Sequence, residues 1–257
     1  MKLTAIFTAA ALVVSAGSAS AYTVGVYGSG SPVGAVNTFY GSYGDTTSSV
    51  ISGITIGNLT GLDLFWAIQP SSAYSSSELD AMSDYLAEGG RIAFMGEHGE
   101  YTPTQNDNIS AALASLGSSI SIINTVLDGG YQDATRGDGQ IQDYLLTAGV
   151  TTYNYAAFAP LDIGSGTALM FGADLASVMM GYENVAGGSI FLITDQNVFD
   201  RVANTGDNDN AIMFRNLLNA STAPVSPGAA PSDVPLPAAA PLLLAGLAGF
   251  GLLRRRG

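Results

Sequence analysis

The chain carries a single histidine and no cysteine, so any imidazole chemistry must be built around His98. His98 lies in the run Gly96-Glu97-His98-Gly99-Glu100, directly after the apolar stretch Arg91 to Met95. One imidazole with two or three carboxylates is a donor set that could hold a divalent metal. Asp195 ends a second apolar stretch, Gly188 to Thr194, and is placed to join Glu97, His98 and Glu100. Such a metal would support hydrolysis of saccharides or related esters, with Glu97 and His98 as the candidate catalytic residues. The plain alternative is that these side chains satisfy the amides of a polar loop. Serine hydrolysis has less to stand on. No G-x-S-x-G occurs in the chain, and a serine would have to share the one histidine as its base.

A second set of acids, Asp128, Asp133, Asp138 and Asp143, recurs every five residues in a glycine-rich segment. Oxygen-rich loops suit Ca²⁺, which tolerates irregular coordination. No EF-hand register fits, because placing Gly139 at the central glycine puts Ala134, Arg136 and Leu145 at ligand positions. Asp207-Asn208-Asp209-Asn210 reads as a helix N-cap cluster. Ca²⁺ or another divalent cation is therefore the cofactor class open to this chain, and the residues fix none. Gly28-Ser29-Gly30-Ser31-Pro32-Val33-Gly34 follows an apolar run, yet it misses the G-x-G-x-x-G dinucleotide spacing by one residue. Tyr74, Tyr101, Tyr131, Tyr153 and Tyr155 could stack sugars, whereas Trp66, inside an apolar run, reads as core.

Charge narrows the partners. Between Tyr22 and Ala220 lie only four basic residues, Arg91, Arg136, Arg201 and Arg215, against 20 of the 21 acids, a net charge of −16. Phosphate backbones are bound by clustered Lys and Arg, so nucleic acid is excluded as a partner. Without cysteine there are no disulfides, and the fold must rest on its core.

The elements that would position these residues are clearest between Leu62 and Glu100. Asp63 to Gln69 is an apolar run of strand length, as expected for a strand covered on both faces. Ser75 and Glu78 have capping-box spacing, and Leu79, Met82 and Leu86 then share one helical face. Gly89 and Gly90 end the helix, and Arg91 to Gly96 returns as a second strand. This is a βαβ unit with a right-handed crossover. Thr23 to Tyr27 reads as a first strand, Ile120 to Val126 and Thr151 to Phe158 as further strands, and Ala168 to Gly172 with Val178 to Tyr182 as a hairpin. Asp128 to Gly139 reads as a loop, Ile141 to Ala148 as a short helix, and 106–116 and 209–219 as longer helices. The alternation predicts a three-layer α/β fold with a mostly parallel sheet and helices on both faces.

The two ends read as processing segments. Residues 1–21 have the basic, apolar and small-residue order of a secretory signal peptide cut before Tyr22. After the domain 22–220 comes a Pro/Ala/Ser linker, 221–233, and then Val234-Pro235-Leu236-Pro237-Ala238, an apolar segment from Ala239 to Leu253, and Arg254-Arg255-Arg256. The apolar segment is short of the ~20 residues of a stable span, and the arginines would stay on the cytoplasmic side. This order resembles the PEP-CTERM class of sorting signals in its VPLPA form. The resemblance implies export in a Gram-negative bacterium, recognition by an exosortase-type processing enzyme, an inner-membrane anchor before processing, and then a place at the cell surface or outside the cell, in organisms that make exopolysaccharide.

A second resemblance covers most of Tyr22 to Ala220. DLFWAIQP, YLAEGGRIAFMGE, GSIFLITDQNVFD and NDNAIMFRNLLN resemble the class I glutamine amidotransferase-like superfamily, which implies a flavodoxin-like fold. That superfamily places a cysteine nucleophile on the turn here occupied by Gly96-Glu97-His98-Gly99-Glu100, and a histidine on a later loop. This chain has neither. The combined expectation is an exported, non-catalytic protein that binds or organises exopolysaccharide matrix, with the metal-assisted hydrolase centred on Glu97, His98 and Asp195 as the alternative.

Overall fold

The computed structural model describes residues 22–201 and 208–219. The expected signal peptide, linker, VPLPA motif, apolar segment and terminal arginines lie outside the described residues. In chain order the elements are β1 (Tyr22–Gly28), α1 (Ser31–Gly41), β2 (Thr46–Val50), α2 (Ile56–Leu59), β3 (Leu64–Ile68), α3 (Ser76–Ala87), β4 (Arg91–Met95), α4 (Pro103–Ser115), β5 (Ser121–Ile122), β6 (Gln132–Thr135), β7 (Thr152–Tyr155), β8 (Leu161–Asp162), β9 (Thr167–Phe171), β10 (Val178–Val185), β11 (Gly188–Ile193), α5 (Val198–Arg201) and α6 (Asn210–Asn219).

The fold is α/β, with strands ordered β2-β1-β3-β4-β11-β10-β8-β5 and β9 beside β10. The half from β2 to β11 is parallel throughout. From β10 onward every pairing is antiparallel. Two apolar cores lie on the two faces. One packs α1, α5, α6 and the β6–β7 ribbon around Trp66, and the other packs α2, α3 and α4 around Phe65 and Phe94. Strands β3 and β11 are buried along their whole length, the pattern of strands covered on both faces. Trp66 has no exposure, and the rings of Phe191, Phe199 and Phe214 meet it edge-on at centroid distances of 5.7–6.1 Å.

The β3–α3–β4 unit forms as its residues dictate. Ser75 caps α3, its side chain accepting the Glu78 amide while Glu78 Oε2 accepts the Ser75 amide at 2.8 Å. Met82 and Leu86 are buried and Leu79 half-buried, so the predicted stripe is the face that packs on the sheet. At the amino end of β4, Arg91 donates to the carbonyls of Leu217 and Leu218, tying the carbonyl end of α6 to that strand's start.

The later segments depart from the sequence reading. Ile120 to Val126 contributes only the two residues of β5. The segment expected as a loop at Asp128 to Gly139 contains β6, which pairs with β7 in a separate two-stranded ribbon. Thr151 to Phe158 is therefore a strand outside the main sheet. Gln132 and Ala134 carry no strong strand signal, and the ribbon forms because β7 offers Tyr153 and Tyr155 to the core beneath it. Ile141 to Ala148 holds a single 3-10 turn, Leu145–Thr147. Among the described residues no helix is long and apolar enough to cross a membrane.

Candidate functional site

The carboxyl ends of β3, β4 and β11 lie side by side, and a hydrogen-bond network joins them. Gln69, next after β3, donates from Nε2 to Gln196 Oε1 at 3.1 Å. The Gln196 amide donates to Glu97 Oε2 at 3.0 Å, and the His98 amide donates to Glu97 Oε1 at 2.9 Å. Both oxygens of Glu97 thus hold backbone amides, one on its own turn and one on the loop after β11. Gly96 makes this turn possible: a Cβ there would stand 2.4 Å from Asn106 Oδ1, the atom that accepts the Glu97 amide. Asn106 also donates to the Glu97 carbonyl at 2.6 Å and to Asn124 Oδ1 at 2.9 Å.

Asp195 does the same work on the neighbouring strand. Its Oδ2 accepts the Ala156 amide at 2.6 Å and its Oδ1 the Asn197 amide at 2.8 Å. Glu97 is 1% exposed and Asp195 2%. Burial is the main cause that raises both carboxyls, Glu97 to about 7 and Asp195 to about 6. The amide donors pull each one down, and for Glu97 the nearby Asp195 pushes it further up.

His98 lies beside Glu97 without a strong bond. Its Nε2 is 4.0 Å from Glu97 Oε1, its ring centroid is 5.9 Å from that of Tyr101, and its shielded Nδ1 has no hydrogen-bond partner. Glu100 is exposed, past the turn. The structure therefore brings Glu97, His98 and Asp195 to one end of the sheet and leaves Glu100 outside the cluster. Among the described residues no group of three or more His, Asp or Glu side chains could hold a metal ion. The physical reason at this site is that Glu97 and Asp195 each turn both oxygens to backbone amides.

The recurring aspartates disperse in the same way. Asp128 accepts from the Tyr155 hydroxyl at 2.8 Å and the Ala173 amide at 2.7 Å, and Asp133 from Asn154 at 2.6 Å. Asp138 accepts from Thr135 at 2.7 Å, and Asp143 pairs with Arg136. Their period of five places them on different partners and gathers no cation site. The 207–210 run stands at the start of α6, where Asn208 Oδ1 accepts the Asn210 amide at 3.2 Å and the Asp209 carbonyl accepts the Met213 amide at 3.0 Å. The Asp209 carboxylate accepts the amides of Thr151 at 2.8 Å and Thr152 at 3.1 Å, tying the helix to β7, and Asp207 lies outside the described residues. Of the tyrosines, Tyr153 and Tyr155 are buried in the core, Tyr101 and Tyr131 are exposed, and Tyr74 lines a cavity.

Asn106, Gln69 and Gln196 were not singled out from sequence. Asn106 shares a helical stripe with Ile109 and Leu113, all three fully buried. An amide at a stripe position otherwise apolar is the signal that would have found it.

No family model and no curated protein matches the chain. Solved structures do match its fold. The mmIFT52 N-terminal domain is 16% identical, with a TM-score of 0.59 over 77% of this chain and 98% of that one. A cytoplasmic protein from Salmonella typhimurium LT2 is 10% identical, with a TM-score of 0.56 over 77% and 98%. A Thermoplasma acidophilum protein, described as one of the subunits of a GMP synthase, is 12% identical, with a TM-score of 0.50 over 77% and 93%. The domain thus has the flavodoxin-like fold found in glutamine amidotransferases.

Proposed function

We propose that the protein is an exported, surface-associated binding protein, in which an amidotransferase-like scaffold without its nucleophile holds exopolysaccharide or organises matrix. The observation that carries this reading is the turn after β4. In the place of a nucleophile stands Glu97, buried and holding the amides of His98 and Gln196. A side chain so engaged fixes the mouth of the sheet. The chain offers no thiol, and its one imidazole lies beside Glu97. Export, anchoring through the C-terminal apolar segment, and processing by an exosortase-type enzyme at Val234 to Ala238 belong to the same proposal and rest on the sequence of the two ends.

The second reading, a hydrolase of saccharides or esters on Glu97, His98 and Asp195, has one observation in its favour. A carboxyl raised to about 7 is suited to general acid–base work near neutral pH. His98→Ala separates the two readings. A binding protein keeps its affinity for polysaccharide when His98 is removed, whereas a hydrolase loses turnover while staying folded.

A further inference from the structure

From Thr46 to Leu62 the chain carries no charged side chain, on a domain that otherwise holds 20 acids and four bases. Strand β2 opens this run, and Val50 and Ile56 within it are 55% and 38% exposed. The strand ends the main sheet and, among the described residues, pairs only with β1. We infer that this edge is a self-association site, where β2 pairs antiparallel with β2 of a second copy about a two-fold axis at Ser48. The inference goes beyond the polysaccharide-binding reading and does not depend on what the domain binds.

The ladder to β1 fixes which main-chain groups face outward. The Tyr22 amide donates to the Asp45 carbonyl at 2.8 Å, and the Ile51 amide to the Val26 carbonyl at 2.9 Å. Parallel pairing alternates along a strand, so Thr47 and Ser49 turn their amides and carbonyls to β1 while Thr46, Ser48 and Val50 turn theirs away. The Thr46 amide is occupied, donating to the Tyr43 carbonyl at 3.1 Å. Among the described residues nothing bonds the main chain of Ser48 or Val50 on the outward side. Natural sheets blunt such an edge with a charge, a proline, a bulge or a very short strand. Strand β2 has no charge and no proline, and its register with β1 runs unbroken over five residues. The strand at the other end of the sheet, β5, has only two residues.

The free groups suit a second copy of the same strand. A two-fold axis at Ser48 sets the two Ser48 residues opposite one another and each Val50 opposite Thr46 of the other copy. Each Ser48 amide then donates to the other Ser48 carbonyl, and each Val50 amide to the opposite Thr46 carbonyl. The occupied Thr46 amide falls only at the two ends of this ladder. On the α1 side, where the Ser48 hydroxyl meets Asn37, exposed Val50 packs on the Thr46 methyl across the axis. On the opposite side the exposed Thr47 and Ser49 form cross-strand pairs. Asp45, the acid next to the strand, is already held by Arg215 at 2.9 and 2.6 Å, so the copies bring no unpaired charge to the ladder. Depletion of charge marks the centre of an interface, and a charged partner would find nothing here to pair with. The contact is isologous and closes at two copies.

Sedimentation equilibrium of the full chain, in a detergent matched to the solvent density, should show a monomer–dimer equilibrium. The dimer should tighten as NaCl is raised, because salt screens the repulsion between two acidic copies. Ser48→Pro and Val50→Pro each remove an outward amide and leave the ladder to β1 in place, as proline is tolerated on an edge strand. Each should keep the wild-type Tm and weaken the dimer about thirtyfold, the loss of two hydrogen bonds. Ser49→Cys, at an exposed position in a chain without cysteine, carries a nitroxide label. The axis sets the two labelled residues about 7–8 Å apart, so the EPR spectrum should broaden as the dimer forms. Broadening that follows the dimer, with weakening in every variant that folds, upholds the inference; where neither variant folds, the broadening decides. A chain monomeric up to about 1 mM overturns it. A dimer without broadening, or one that keeps its affinity in a folded variant, overturns it as well and assigns the contact to another part of the chain.

Discussion

Replacing Glu97 by glutamine should change how stability depends on pH, by an amount that the site itself sets. Burial raises the Glu97 carboxyl from 4.5 to about 7. A carboxyl raised in the folded state binds its proton more tightly there than in the unfolded chain. Its contribution to stability is therefore full below about pH 4.5 and is lost as the pH climbs through about 7. A shift of about 2.5 units at 1.36 kcal/mol per unit corresponds to about 3 kcal/mol. Asp195, raised from 3.8 to about 6, adds a loss of the same sign in both proteins. Glu97→Gln keeps the shape and removes only the Glu97 titration. Whatever its fixed cost from changed hydrogen bonding, the stability of wild type minus that of the variant should fall by about 3 kcal/mol between about pH 4 and pH 8.5. Urea unfolding at a series of pH values measures this, with Trp66 as the probe, since it is the only tryptophan and is fully buried. Parallel pH profiles, or a wild type that gains on the variant as pH rises, would refute the burial of an ionisable Glu97 as the cause.

Other substitutions probe the supports around it. Asn106→Ala leaves the Glu97 amide and carbonyl without their partner in a buried turn and should cost about 3 kcal/mol, a fall in Tm of roughly 6–12 °C by calorimetry. Ser75→Ala should cost about 1 kcal/mol and speed amide exchange in the first turn of α3, with little effect elsewhere. Gly28→Ala forces a Cβ against the Ile68 carbonyl and should abolish soluble folded protein. Gly34→Ala, within α1 and with nothing within 4 Å of the added atom, should instead raise stability by about 0.5–1 kcal/mol.

The parallel half of the fold was legible in the residues because its signals are local. The Ser75–Glu78 capping box, the Met82–Leu86 stripe, the stop at Gly89-Gly90 and the two-sided burial of 188–193 each need only a few neighbours to be read. The β6–β7 ribbon was not legible, since Gln132 to Thr135 becomes a strand only through pairing with Thr152 to Tyr155 and docking on the core. The candidate site was half legible. Strand ends placed Glu97, His98 and Asp195 together, but spacing cannot say where a carboxylate's oxygens point. Each turns one oxygen to an amide brought in by another loop, Gln196 for Glu97 and Ala156 for Asp195, and the other to an amide of its own turn, at His98 and Asn197.

Binding of polysaccharide without cleavage, the proposed function, can be tested directly. Size-exclusion chromatography with light scattering reads both properties at once when the full chain is incubated with neutral polysaccharides of defined length. The protein should co-elute with at least one polymer, the polymer mass should stay constant over hours, and His98→Ala should behave as wild type. A polymer that shortens with wild type and stays intact with His98→Ala would contradict it and establish the hydrolase instead.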